Sequence, residues 1–169
     1  IHDPRDTAQE SELRENIRLA RIARDAGVQT IIEWSGGHVS ADRIADNIRY
    51  YKERSEFPLF VAGPLPMDVA VGYDHIAGTV GGSIAAGAGA DYLCYLTPSE
   101  HLGLPTPDQV REGLIAFRIA AHIGDSIKYG PREKDRHLAA CRRSLDWEGQ
   151  FAHAIDEDRA RCLRGDDRP

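Results

Sequence analysis

The chain has 169 residues, a formal net charge of −6 and 41% hydrophobic residues. This length and apolar content suit one ordinary domain with its own core. The acidic balance gives no support to binding of nucleic acid or of an anionic membrane, and no apolar stretch approaches the roughly 20 residues that span a bilayer. Three cysteines without CxxC spacing favour a reducing, cytoplasmic location over a disulfide or zinc-ribbon framework.

Helical patterns and short apolar runs alternate along the first part of the chain. A helix is predicted over 8–25, capped by Asp6 or Thr7, and further helices are predicted from Ser40 and from about Tyr73. The third of these helices carries an apolar stripe of Ile76, Val80 and Ile84, and its many glycines indicate that neighbouring backbone approaches closely. Three short, largely apolar runs predict buried strands: 28–33, 58–62 and 91–96.

After Thr106 the pattern becomes wholly helical. Pro107 suits the first position of a helix whose apolar stripe includes Leu114, Phe117 and Ile127. Two more amphipathic helices are predicted over about 131–147 and 148–163. We therefore divide the chain into three parts, which are 1–105, 106–165 and a frayed tail at 166–169.

The order of the elements predicts an α/β fold with three parallel, adjacent strands and helices packed outside them. Three such strands cannot close a barrel, and their edges would expose unpaired backbone. We therefore expect the C-terminal portion of a (β/α)₈ barrel followed by a helical extension. The remaining strands, or a second copy in a homodimer, would cover the edges.

Two histidines follow the ends of predicted strands. His38 lies in the stretch 35–40 (SGGHVS) after the first strand, and His101 lies in 97–105 (TPSEHLGLP) after the third. The loops that follow parallel strands open on the same rim of the sheet, so the two imidazoles could meet at one ion. Nitrogen ligands suit zinc or ferrous iron. The alternative is that each histidine caps a helix or bonds within its own loop.

Carboxylates occur near the same rim. Glu33 ends the first strand and could bind a substrate amine or hydroxyl, act as a base, or form an ordinary ion pair. The segment 68–75 places Asp68, Asp74 and His75 in one loop and helix start. It could form a second metal site or a proton relay, or the aspartates could simply satisfy free backbone N–H groups at the helix start.

Several long stretches resemble phosphomethylpyrimidine synthase, an enzyme family of thiamine biosynthesis. The most specific are 63–76 (GPLPMDVAVGYDHI) and 93–105 (LCYLTPSEHLGLP), and the opening residues, 37–39 (GHV), 118–122 (RIAAH) and 145–151 (LDWEGQF) also fit in order. The resemblance covers nearly the whole chain. It implies a (β/α)₈ barrel, S-adenosylmethionine as a cofactor, and a four-iron four-sulfur (4Fe-4S) cluster held by a cysteine motif that these residues lack.

The resemblance also implies roles for individual residues. The family's metal ligands, for zinc or iron, match His38 and His101. Its substrate-binding residues match Glu33 and Phe60. The resemblance indicates no catalytic residue. This chain has Phe60 at the position of the family's substrate-binding tyrosine. The family's stretch Glu-Gly-Pro-Gly-His corresponds to 33–38 (EWSGGH), which is one residue longer in this chain.

The activity that the resemblance implies is a radical rearrangement of 5-aminoimidazole ribonucleotide to 4-amino-5-hydroxymethyl-2-methylpyrimidine phosphate, a lyase reaction. A fragment such as this would be inactive alone. One alternative is the synthesis of 5-hydroxybenzimidazole from the same substrate, for the lower ligand of a cobamide. Another is a non-catalytic module that binds a metal or a nucleotide.

Overall fold

The computed structural model describes residues 7–165, which form two compact units divided between Lys128 and Tyr129. Asp6 and the tail 166–169 lie outside the described residues. The elements in chain order are α1 (Thr7–Asp25), β1 (Ile32–Glu33), α2 (Ala41–Lys52), β2 (Leu59–Ala62), α3 (Asp74–Ala88), β3 (Tyr92–Cys94), α4 (Pro107–Tyr129), α5 (Glu133–Ser144), α6 (Trp147–Ala152) and α7 (Glu157–Arg164).

The three strands form one parallel sheet in the order β1-β2-β3, which confirms the predicted topology. β1 is much shorter than the predicted run 28–33. Because β2 begins only at Leu59, the residues before Ile32 have no neighbouring strand to pair with, and the ladder starts where Ile32 N donates to Pro58 O at 3.0 Å. Closure into a barrel needs more strands than these, so the barrel portion of the fold stays a prediction.

Helices cover one face of the sheet. Ile32, Leu59 and Val61 point to that face and are at most 4% exposed, and burial stabilises each by about 1.5–3 kcal/mol relative to exposure. They form one cluster with the buried faces of α1 and α2, which comprise Leu13, Ile17, Ala20, Ile44, Ile48 and Tyr51. Successive strand residues face opposite sides. Glu33 and Phe60, paired in register, therefore lie on the other face, where they are exposed and half-buried.

Helix α3 packs mainly through its smallest residues, and of the predicted stripe only Ile84 packs against the core. Ile76 and Val80 are 53% and 54% exposed, whereas Gly78 and Gly81 are buried. A Cβ at Gly81 would lie only 2.1 Å from the carbonyl oxygen of Pro64. The predicted close approach of backbone is confirmed, and it explains why Ile76 and Val80 turn outward: the helix axis lies too near the loop after β2 to leave them room.

Helix α4 belongs to the first unit for nearly its whole length, whereas the sequence interpretation placed a boundary before it. Gly113 packs on the end of the β3 segment, since a Cβ there would lie 2.3 Å from the carbonyl oxygen of Leu96. Phe117 is buried as predicted, but Leu114 and Ile127 are 46% and 62% exposed. Small residues again form the contacting face, and the structural division falls at the end of the helix.

The second unit contains three helices within its described residues, where two were predicted. The predicted helix 148–163 is interrupted because Asp156 begins a new one, accepting from Arg159 N at 3.1 Å, just as Asp146 caps α6 by accepting from Gly149 N at 2.9 Å. No helix within 7–165 has the length and apolar character needed to cross a membrane.

Candidate metal centre

The loop after β1 carries His38 along the end of β2. Ser35, the second residue after the strand, has a left-handed backbone conformation (φ 56°). Leu65 N then donates to Gly37 O at 2.8 Å, and Val39 N donates to Leu65 O at 3.1 Å. The loop thus continues the parallel pairing beyond β1, and the hydrogen bonds fix the backbone on both sides of His38.

The loop after β3 carries His101 in a tight turn. Glu100 N donates to Thr97 O and Gly103 N donates to Ser99 O, both at 3.1 Å. His101 itself has φ 62°, the left-handed region that costs a non-glycine residue about 1–3 kcal/mol. The surrounding turn holds the residue against this preference, and such strained residues cluster at functional sites.

The two loops bring His38 and His101 into contact. Their Nε2 atoms lie 3.3 Å apart and their ring centroids 5.0 Å apart. Two metal–nitrogen bonds of about 2.0–2.1 Å at a tetrahedral angle place the nitrogens about 3.3–3.4 Å apart. The separation therefore fits one zinc or iron ion bound to both rings.

Carboxylates on the far side of each ring decide where the ring hydrogens lie. Nδ1 of His38 is 2.5 Å from Asp68 Oδ1, and Nδ1 of His101 is 3.1 Å from Asp74 Oδ2. An ionised carboxylate only accepts, so each Nδ1 carries the hydrogen and each neutral ring keeps a lone pair on Nε2. With both Nδ1 atoms engaged in this way, the two Nε2 lone pairs are the ones available to a shared cation. Histidines that bind metals are held by carboxylates in this same way.

The two carboxylates differ in burial. The side chain of Asp74 is 4% exposed and begins α3, where the positive end of the helix dipole favours its negative charge. The side chain of Asp68 is 70% exposed. The two rings are about equally exposed, at 53% for His101 and 46% for His38, so the difference lies in the carboxylates. Solvent screens the charge of Asp74 less than that of Asp68.

Sequence reasoning singled out the segment 68–75 but missed the roles of its aspartates. His75 does not join them: it is buried, and its Nε2 lies 3.4 Å from Glu112 Oε1 on α4. The signal that could have identified Asp68 and Asp74 is their place between the end of β2 and the first residue of α3, in a segment that lies between the loops of His38 and His101.

Glu33 and Phe60 lie side by side on the open face of the sheet. Burial raises the pKa of the Cys94 thiol, and the negative charges of Glu33 and Glu100 raise it further, so the Glu33 carboxylate acts across this face. Glu33 also lines a groove of about 540 Å³ with Glu12. Neither histidine of the metal pair is among the described residues that line the groove.

An iron–sulfur cluster does not fit the described residues. Within 7–165 no group of three or more histidine, cysteine or acidic side chains could hold a metal ion. The three cysteines, Cys94, Cys141 and Cys162, are free thiols, and Cys94 lies in a different unit from the other two. The metal chemistry that these residues support is the two-histidine site with its outer carboxylates.

The whole chain, residues 1–169, matches the model of the radical SAM ThiC family. The chain belongs to this family. It is 50% identical over 167 residues to a phosphomethylpyrimidine synthase of Ignicoccus hospitalis, covering 97% of this chain and 38% of that protein. The corresponding enzyme of Geobacter metallireducens is 50% identical over 169 residues, covering 98% and 38%, and that of Thermus thermophilus is 47% identical, covering 97% and 38%.

The chain spans about two fifths of the length of the relatives that it matches. The matches do not uphold the expected C-terminal position within the longer proteins; what they establish is the extent of the overlap. Membership of the family agrees with the resemblance that the motifs around His38 and His101 indicated.

Proposed function

We propose that this chain supplies a two-histidine metal site to a phosphomethylpyrimidine synthase. The observation that carries the proposal is the pair of Nε2 atoms 3.3 Å apart, each backed by a carboxylate on Nδ1. Two protein ligands leave further positions of zinc or iron open for water or substrate oxygens. The ion would serve there as a Lewis acid that orients a bound substrate.

The activity that we propose for the complete protein is the rearrangement of 5-aminoimidazole ribonucleotide with S-adenosylmethionine, which yields the pyrimidine phosphate of thiamine. The relatives' name and the family support it. Glu33 would accept a hydrogen bond from an amine or hydroxyl of the substrate, and the Phe60 ring beside it would contact an apolar part. We expect further segments or a second copy to cover the open face of the sheet.

The metal site is tested by replacing His38 or His101 with alanine in the complete protein. We expect either variant to lose stoichiometric zinc or iron, measured by metal analysis after dialysis. His137→Ala, which removes a histidine from α5 of the second unit, is the matched control and should retain the metal. Full retention of metal in both site variants would remove the proposed site.

The reaction is tested separately by supplying the aminoimidazole ribonucleotide, S-adenosylmethionine and a reductant. Formation of the pyrimidine phosphate, identified by mass spectrometry, supports the proposed activity. Formation of 5-hydroxybenzimidazole would assign the alternative reaction instead. Metal binding without turnover of this substrate would contradict the enzymatic proposal and favour a binding module.

A further inference from the structure

A buried amide lies beneath the loop that carries His38. Asn47 is on α2 and is only 1% exposed. Its Nδ2 donates to Ser35 Oγ at 2.9 Å, while its Oδ1 has no hydrogen-bond partner among the described residues. A buried amide that uses part of its hydrogen-bonding capacity stabilises a core less than an apolar side chain of the same size. Its contact with Ser35 is therefore the feature to explain.

Ser35 is the residue at which the chain turns from β1 into the loop. Its φ is 56°, and residues other than glycine, asparagine and aspartate rarely adopt this backbone conformation. The turn brings Gly36 so close to β2 that a Cβ there would lie 2.5 Å from Ala62 N, and Gly37 N donates to Ala62 O at 2.6 Å. Three residues beyond this turn, His38 meets His101.

We propose that Asn47 is a positioning residue of the metal site. By holding the Ser35 hydroxyl, its amide keeps the left-handed turn in place and so fixes the direction in which His38 leaves the loop. This inference rests on the proposed two-histidine site.

The contact predicts coupled effects on metal affinity. Asn47→Ala and Ser35→Gly each remove one partner of the hydrogen bond, and glycine tolerates the backbone conformation at position 35. We expect each variant of the complete protein to bind Zn²⁺ at least tenfold more weakly, measured by competition with a chromophoric chelator. The double variant should bind no more weakly than the weaker single variant, because both changes break the same contact.

A matched control separates positioning from general destabilisation. Tyr51 lies one turn further along α2 and is fully buried, and its hydroxyl donates to Phe57 O at 3.2 Å rather than to the His38 loop. Phenylalanine at this position keeps the ring that stacks on Trp34 and removes only the hydroxyl. Tyr51→Phe should lower the melting temperature while leaving Zn²⁺ affinity unchanged. The absorption spectrum of the Co²⁺ form should change in Asn47→Ala and remain that of the parent in Tyr51→Phe.

The outcomes distinguish this inference from the function beneath it. If His38→Ala and His101→Ala retain metal, the proposed site itself fails. If they lose metal while Asn47→Ala keeps the affinity and Co²⁺ spectrum of the parent, the positioning role alone is overturned. Additive losses in the double variant would also overturn it. Should Asn47→Ala fail to fold, Ser35→Gly decides by the same two measurements.

Discussion

Asp74 Oδ2 lies 3.1 Å from Nδ1 of His101, on the side of the ring away from the Nε2 that faces His38. The carboxylate is buried at the start of α3, whereas its counterpart Asp68 is largely exposed beside His38. The two rings are thus oriented by similar chemistry, from carboxylates in environments of different polarity. This asymmetry makes the contributions of the two carboxylates to the proposed metal binding separable.

Asp74→Asn should weaken Zn²⁺ binding by about 10- to 100-fold, because a neutral amide oxygen accepts the Nδ1 hydrogen more weakly than a carboxylate and raises the ligand strength of Nε2 less. Asp68→Asn should have a smaller effect, since solvent already screens that pair. Chelator competition measures both affinities. Asp46→Asn, which removes an exposed carboxylate on α2, serves as the control. A larger loss in Asp68→Asn than in Asp74→Asn would contradict this explanation.

Glu33→Gln should lower the pKa of the Cys94 thiol, because it removes one of the two negative charges that raise that pKa. Burial is the larger cause, so the pKa should remain above its ordinary value. The measurement is the pH dependence of alkylation at Cys94, followed by peptide mass spectrometry. Glu10→Gln, on α1, should leave the profile as it is. An unchanged profile in Glu33→Gln would show that the carboxylate does not act across the open face.

Gly81→Ala should destabilise the first unit by about 1–3 kcal/mol, because the new methyl group would overlap the carbonyl of Pro64. The gain in helix propensity from glycine to alanine is only about 1 kcal/mol and acts in the opposite direction. Gly103→Ala, where a Cβ would meet no atom within 4 Å, should be nearly neutral. Urea unfolding of both variants tests the comparison, and equal stability would count against close packing of α3.

The ion pairs of Glu56 should stabilise the fold in a pH-dependent way. A hydrogen bond from Arg21, with smaller contributions that include Arg24, lowers the pKa of Glu56 to about 2. Because the folded pKa lies below the unfolded value of about 4.3, the stabilisation is present above that value and is lost as the pH falls towards 2. The difference in melting temperature between the parent and Glu56→Gln should therefore shrink below about pH 4.5. A difference that is constant from pH 7 to pH 3 would exclude this linkage.

The elements of the first unit were predictable because their signals are local. Short apolar runs bounded by turn residues mark Leu59–Ala62 and Tyr92–Cys94 to within two residues, and the helix that follows Thr106 begins at the expected proline. The extent of β1 was not predictable, since pairing with β2 decides it. The prediction of the buried face of α3 was wrong at Ile76 and Val80 for the same reason: hydrophobic spacing says nothing about how closely a neighbouring backbone approaches Gly81.

The amino-acid sequence by itself determined the alternation of helices and strands, and with it the parallel sheet. It also placed His38 and His101 after the first and third strands. These features follow from hydrophobic periodicity and the order of elements, which depend on residues close together in the chain. Only the tertiary structure decided that the two Nε2 atoms meet and that Asp68 and Asp74 stand behind them. Only the tertiary structure likewise decided the left-handed turn at Ser35 and its hydrogen bond from Asn47. These contacts join residues 12 to 63 positions apart, and only the packing of the loops against the ends of the strands sets their distances.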